Sequence, residues 1–224
     1  MVYIILIVAV IIGAAIVLFT KPNKGFIQFL LAFSGAYLLS ITILHLLPEV
    51  YETQNTTIGI FILIGIFIQS ILEYFSKGAE HGHVHIHGKV TKIPWLLFIG
   101  LGIHAFFEGI PLASKTLQPL VWAIFIHKIP VAIILTTFLM QTKLSKYIIT
   151  GLLASFAIMS PLGCIIFEKI PFLTKYTTEI TAIIIGIFIH ISSIILFETN
   201  ENHHFSLKKF TAIILGFAIA FLSL

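Results

Sequence analysis

Eight apolar runs follow one another along this chain, each long enough or nearly long enough to cross the ~30 Å hydrocarbon core of a bilayer as a helix. They span residues 2–19, 26–47, 57–75, 93–113, 117–140, 145–167, 179–197 and 210–224, the last being short and extendable back to Leu207. The runs are continuous rather than alternating. A helix satisfies its own backbone in lipid, whereas a strand needs a closed barrel of neighbours. The expected fold class is therefore all-α, a polytopic membrane helical bundle with eight transmembrane helices. Composition agrees, with 58% apolar and only 10% charged residues, far from the balance of a soluble domain. The longest connection covers residues 76–92, so the reading is a single transmembrane domain over 1–224. The first run has no basic residue before it and is longer than a secretory h-region, so it reads as a span of the mature protein rather than a cleaved leader.

Lysines set the expected orientation. Every basic residue is Lys and every acidic residue is Glu. The odd-numbered connections carry nine lysines (Lys21, Lys24, Lys77, Lys89, Lys92, Lys143, Lys146, Lys208, Lys209) and the even ones three (Lys115, Lys169, Lys175). By the positive-inside rule the odd connections face the cytoplasm and both termini lie outside, in a multi-pass protein of the cell membrane. A net charge of +4 distributed in this way is not a nucleic-acid footprint. No nucleotide-binding loop is present and the paired-histidine protease signature is absent. The single cysteine, Cys164, excludes a disulfide framework or a multi-cysteine metal site within the chain. No enzyme, nucleotide partner or nucleic-acid partner is expected.

The remaining polar residues stand where they are costly. Placing a charge near the centre of a membrane helix costs roughly 2.5–3.5 kcal/mol even on the lenient scale, so each demands a reason. The second run ends His45-Leu46-Leu47-Pro48-Glu49, the fourth carries His104 and Glu108, the fifth His127 and Lys128, and the seventh His190, with Glu73 late in the third. His104 and Glu108 are four apart and project from one helical face; His45 and Glu49 repeat the spacing if the helix survives Pro48. Imidazole nitrogen and carboxylate oxygen suit zinc, iron, cobalt or manganese. His104, Glu108 and His127 make three candidate ligands, with His45, Glu49 and His190 as further ones. Pro111, Pro130, Gly100, Gly102 and Gly109 lie beside them, and helix breaks of this kind accompany ion sites in transporters. Other readings stay open at this stage. His104 with Glu108 also fits a structural hydrogen-bonded pair, His127 and His190 fit packing roles, and Glu49 and Glu73 lie near interfaces where a carboxylate is cheap.

Connection 76–92 contains His81-Gly82-His83-Val84-His85-Ile86-His87. Four alternating histidines in a cytoplasmic loop form a low-affinity capture site that hands ions on or away; a solvated polar tract is the plainer alternative.

In these residues the chain resembles the ZIP (Zrt/Irt-like) family of divalent metal transporters. The likeness runs through the eight spans, outside termini, His45-x-x-Pro48-Glu49, Glu73 ahead of a histidine-rich loop, His104…Glu108-Gly109, His127-x-x-Pro130 and Ser160-Pro161-Leu162-Gly163. The resemblance implies metal ligands at His104, Glu108 and His127, a feeding position near His45, and movement of zinc, or of iron, manganese or cadmium, toward the cytoplasm. It also exposes departures. Where many relatives hold two adjacent ions, this chain has Ala105 after the helix-four histidine, Lys128 after the helix-five histidine, Val131 and Ala132 after the proline, and Ser160 in place of a glutamate. These remove most of a second site, and the Lys128 ammonium is expected to take the second ion's place beside Glu108, modulating a single-metal site.

The expected function is thus a passive or ion-coupled divalent-metal transporter. Small-residue faces would support a homodimer. The rival expectation is a non-transporting membrane protein that binds metal or haem as a sensor, with intramembrane histidines as axial ligands.

Overall fold

In a computed structural model, the structure describes residues 1–53, 56–76, 93, 95–113, 118–197 and 207–223. The loop histidines His81, His83, His85 and His87 lie outside the described residues, as do His203 and His204. The described residues are helical apart from short turns. They form α1 (Val2–Thr20), α2 (Lys24–Ile41), a π-helical turn (Thr42–Leu46), α3 (Leu47–Tyr51), α4 (Ile58–Ser76), α5 (Trp95–Gly109) with a 3-10 turn (Ile110–Ala113), α6 (Gln118–Met140), α7 (Lys146–Lys169), α8 (Pro171–Lys175), α9 (Thr177–Phe197) and α10 (Leu207–Leu222).

Local chemistry sets several of these boundaries. Lys21 closes α1 in the left-handed conformation at φ 47°, and Pro22 follows, where a helix cannot continue. Asn23 then caps α2, its side chain accepting from the Phe26 N–H at 2.8 Å; Ser145 does the same for α7 through the Ile148 N–H. At the end of α2 the helix does survive Pro48. Proline brings no N–H, and the chain widens just before it, with the Leu47 N–H bonding to the Thr42 carbonyl five residues back. Helix resumes in α3, where the Glu52 N–H bonds to the Pro48 carbonyl.

Seven helices are long and apolar enough to cross a membrane, counting α2 through α3 as one span. The eighth expected segment forms α10, of 16 residues. At 1.5 Å per residue it is about 24 Å long, short of a full hydrocarbon core. The expectation of eight spans, the last of them short, therefore stands at seven plus this shorter helix. The helix α8, between α7 and α9, has no counterpart in the apolar pattern.

Two groups of helices emerge from the packing. In one, α1 lies against α6 and α7, and α5 against α7; in the other, α4 lies against α9, and α2 against α9 and α10. The groups meet where α2 contacts α6 and α4 contacts α5. Among the seven spans α6 is the most enclosed and α4 the least. An all-round apolar helix belongs in the centre of a bundle. Yet α6 carries His127 and Lys128, both 0% exposed. The most enclosed span thus carries two of the most polar side chains in the protein.

Candidate metal site

The site grows from the geometry of α5. His104 and Glu108, one turn apart, share a face that points inward, at 1% and 2% exposure, and His104 Nε2 lies 2.9 Å from Glu108 Oε1. On α6, His127 brings its Nε2 to 3.7 Å from the same oxygen. The two imidazole rings stand nearly perpendicular, at 83°, with centroids 6.1 Å apart. One atom from each of the three side chains lies within 4.8 Å of the other two. A tetrahedral ion with bonds of about 2.0–2.1 Å separates its ligands by about 3.3 Å. Shifts on the order of 1 Å bring all three into that geometry.

The other carboxylate oxygen has a different partner. Lys128 Nζ donates to Glu108 Oε2 at 3.0 Å and to Ser160 Oγ at 2.6 Å, and it sits 5.0 Å from the centroid of the Phe156 ring. Ser160 passes its own proton to the Ala105 carbonyl, so toward the lysine it acts as acceptor. The ammonium thus has a carboxylate, a hydroxyl and an aromatic face around it, the partners a buried cation requires.

Close contact between α5 and α7 makes this arrangement possible. A β-carbon at Gly109 would overlap the carbonyl of Ser160, and one at Gly163 the carbonyl of Phe106. Only glycine allows the two backbones to approach so far, and that approach delivers Ser160 to the lysine. In α6, Pro130 leaves the Ile126 carbonyl without its usual N–H, one turn from His127.

Other expected ligands fall elsewhere. His190, on α9, lies with Nε2 2.8 Å from Glu73 Oε2 of α4, both partly exposed. His45 sits in the π turn, partly buried, with an Nε2 that is buried and has no hydrogen bond. Glu49 is exposed. None of His45, Glu49 and His190 joins the group of mutually close ligand atoms among the described residues. Two contacts had no signal in the sequence: Ser34 Oγ of α2 lies 3.4 Å from His127 Nδ1, and Tyr3 of α1 donates to Glu168 of α7 at 2.8 Å. A serine or tyrosine in an apolar run is common, and only tertiary packing names its partner.

Comparison with known proteins places this chain in a family. The sequence model described as ZIP Zinc transporter matches residues 76–223, well over half of the chain and including His104, Glu108, His127, Lys128 and Ser160. The chain is similar to Zinc transporter ZIP1 of Danio rerio, 24% identical over 195 residues, which cover 64% of this chain and 65% of that protein. It is also similar to Zinc transporter ZupT of Salmonella arizonae, 30% identical over 116 residues, covering 46% of this chain and 44% of that protein. With Protein zntD of Dictyostelium discoideum it shares 33% identity over 106 residues, covering 40% of this chain and 16% of that protein. In each case the matched stretch spans less than two thirds of the relative's length. On the extent of the family match, the chain belongs to the ZIP zinc transporter family.

Proposed function

We propose that this chain carries divalent metal, zinc above all, from the outer side of the membrane to the cytoplasm through a single-metal site made of His104, Glu108 and His127. The observation that carries the reading is one buried carboxylate with its two oxygens put to different uses. Oε1 faces two imidazoles, at 2.9 and 3.7 Å; Oε2 is held by the lysine at 3.0 Å.

Two nitrogens and one oxygen are a borderline donor set that favours zinc over hard cations, and three protein ligands leave a fourth position for water. That open position matters for transport, since a saturated rigid site would not release its ion. Lys128 occupies the far side of Glu108, where a second ion would otherwise sit, and balances its charge. The ion therefore meets a pocket with no excess negative charge, and its own two charges are the only ones added. Names of the relatives, zinc transporters from fish and bacteria, support zinc as the principal cargo; iron, manganese, cobalt and cadmium are competitors for the same ligands. His45 and exposed Glu49, at the outer end of the second span, suit the approach of an ion from outside. The histidine-rich connection suits its receipt in the cytoplasm, with α10 completing eight spans and both termini outside.

The test is zinc uptake by proteoliposomes, wild type beside His104→Ala, with manganese and iron as competitors. Uptake by the wild type that disappears in the variant supports transport through this site. A wild type that takes up nothing, under gradients that drive a known family member in parallel, overturns it. A Soret band in the purified protein would instead select the haem-binding alternative.

A further inference from the structure

Ser34 lies on α2, in the helix group opposite the one that supplies the ligands, and is 0% exposed. Its Oγ is 3.1 Å from the Leu31 carbonyl and 3.4 Å from His127 Nδ1. A serine hydroxyl has one proton to give. The nearer neighbour is a carbonyl, which can only accept, so the proton goes to Leu31. What Ser34 presents to His127 is a lone pair, and Nδ1 must then carry the imidazole hydrogen. In a neutral ring that leaves Nε2 as a bare lone pair.

This nitrogen is buried and has no hydrogen-bond partner. It faces Glu108 Oε1 at 3.7 Å. Two acceptors turned toward each other in a dry interior repel; a cation between them reverses the sign. The alternative tautomer would place an N–H toward the carboxylate, but it would leave the Nδ1 lone pair facing the Ser34 oxygen unless Ser34 gave up its carbonyl for the longer contact.

We propose that Ser34 is the positioning residue of the metal site, holding His127 in the Nδ1–H tautomer so that Nε2 is ready as a ligand before the ion arrives. Metal-binding histidines characteristically donate their second ring N–H to a fixed acceptor, and loss of that acceptor weakens metal binding by 10–100-fold. Here the acceptor comes from α2, while His104, Glu108 and His127 come from α5 and α6. The ligand is therefore set across the contact between the two helix groups. The inference rests on reading the trio as a metal site.

The experiment uses the full chain in nanodiscs, labelled with 15N-histidine. His127 signals are assigned by their loss in His127→Gln. Ring nitrogen shifts in zinc-free protein report which nitrogen bears the hydrogen, and titration with zinc alone gives the affinity. The expected result is an Nδ1–H His127 in the wild type. Ser34→Ala is expected to shift the tautomer toward Nε2–H and weaken zinc binding about tenfold, with Ser34→Thr restoring both. Zinc binding by a wild type whose His127 is Nε2–H overturns this inference alone, as does a tautomer that Ser34→Ala leaves unchanged. Absence of zinc binding by the wild type overturns the metal reading together with it.

Discussion

Removing one member of the Glu108–Lys128 pair leaves an ion uncompensated in the centre of the bundle, and removing both does not. Glu108 and Lys128 are 2% and 0% exposed, with Nζ and Oε2 3.0 Å apart. At an effective dielectric of ~20, opposite charges at that distance attract by roughly 5–6 kcal/mol. Desolvation offsets much of this while both partners are present. Stripped of one partner, a buried pair typically loses about 3–5 kcal/mol of stability, because the survivor keeps its desolvation penalty without the attraction. Lys128→Met and Glu108→Gln should therefore each destabilise the metal-free protein by about that amount. The double variant, with neither charge, should recover most of the loss. Equilibrium unfolding in mixed detergent micelles, run as a double-mutant cycle, reads the coupling directly. Ser160 and Phe156 remain as neutral neighbours in all four proteins. Additive losses, with the double variant as unstable as the sum of the singles, would refute the reasoning and mean that the two side chains are not energetically paired.

Zinc stoichiometry follows from the same arrangement: purified protein lacking the loop histidines should bind one ion, and two would contradict the role given to Lys128. His127→Ala, which removes one of three ligands, should weaken zinc binding by more than the roughly 10–100-fold that loss of a supporting partner costs, measured by competition with a chelator. Gly109→Ala should be destabilising by roughly 1–3 kcal/mol or more, since the added methyl meets the Ser160 backbone rather than a movable side chain; its effect is checked by thermal unfolding. Breaking the partly exposed His190–Glu73 contact with His190→Ala should cost no more than about 1 kcal/mol in thermal unfolding, and the variant made in protein lacking the loop histidines should still bind one zinc ion.

The membrane character of the chain and most of its helix limits were fixed by the order of its residues. Runs of twenty or so apolar side chains have one stable solution in lipid, a helix bonded to itself, and no tertiary information is needed to reach it. Spacing along an unbroken α-helix was equally informative, which is why His104 and Glu108 meet as their four-residue separation requires. At His45 and Glu49 the helix widens into a π turn and then runs on past Pro48, a local course that the proline in the sequence did not specify. Partners on different helices are another matter. That Lys128 bonds Glu108 while His190 bonds Glu73 depends on which helices touch and how closely. The sequence holds no distance between one span and the next, and every pairing of intramembrane histidine with carboxylate satisfies it equally. Glycines at 109 and 163 permit the α5–α7 approach, yet glycine is frequent in membrane helices and does not announce its neighbour. The chain alone determined what each helix carries; only the packing of one helix on another decided which polar groups share a site, because the electrostatic energy that joins them depends on separations that a linear order does not contain.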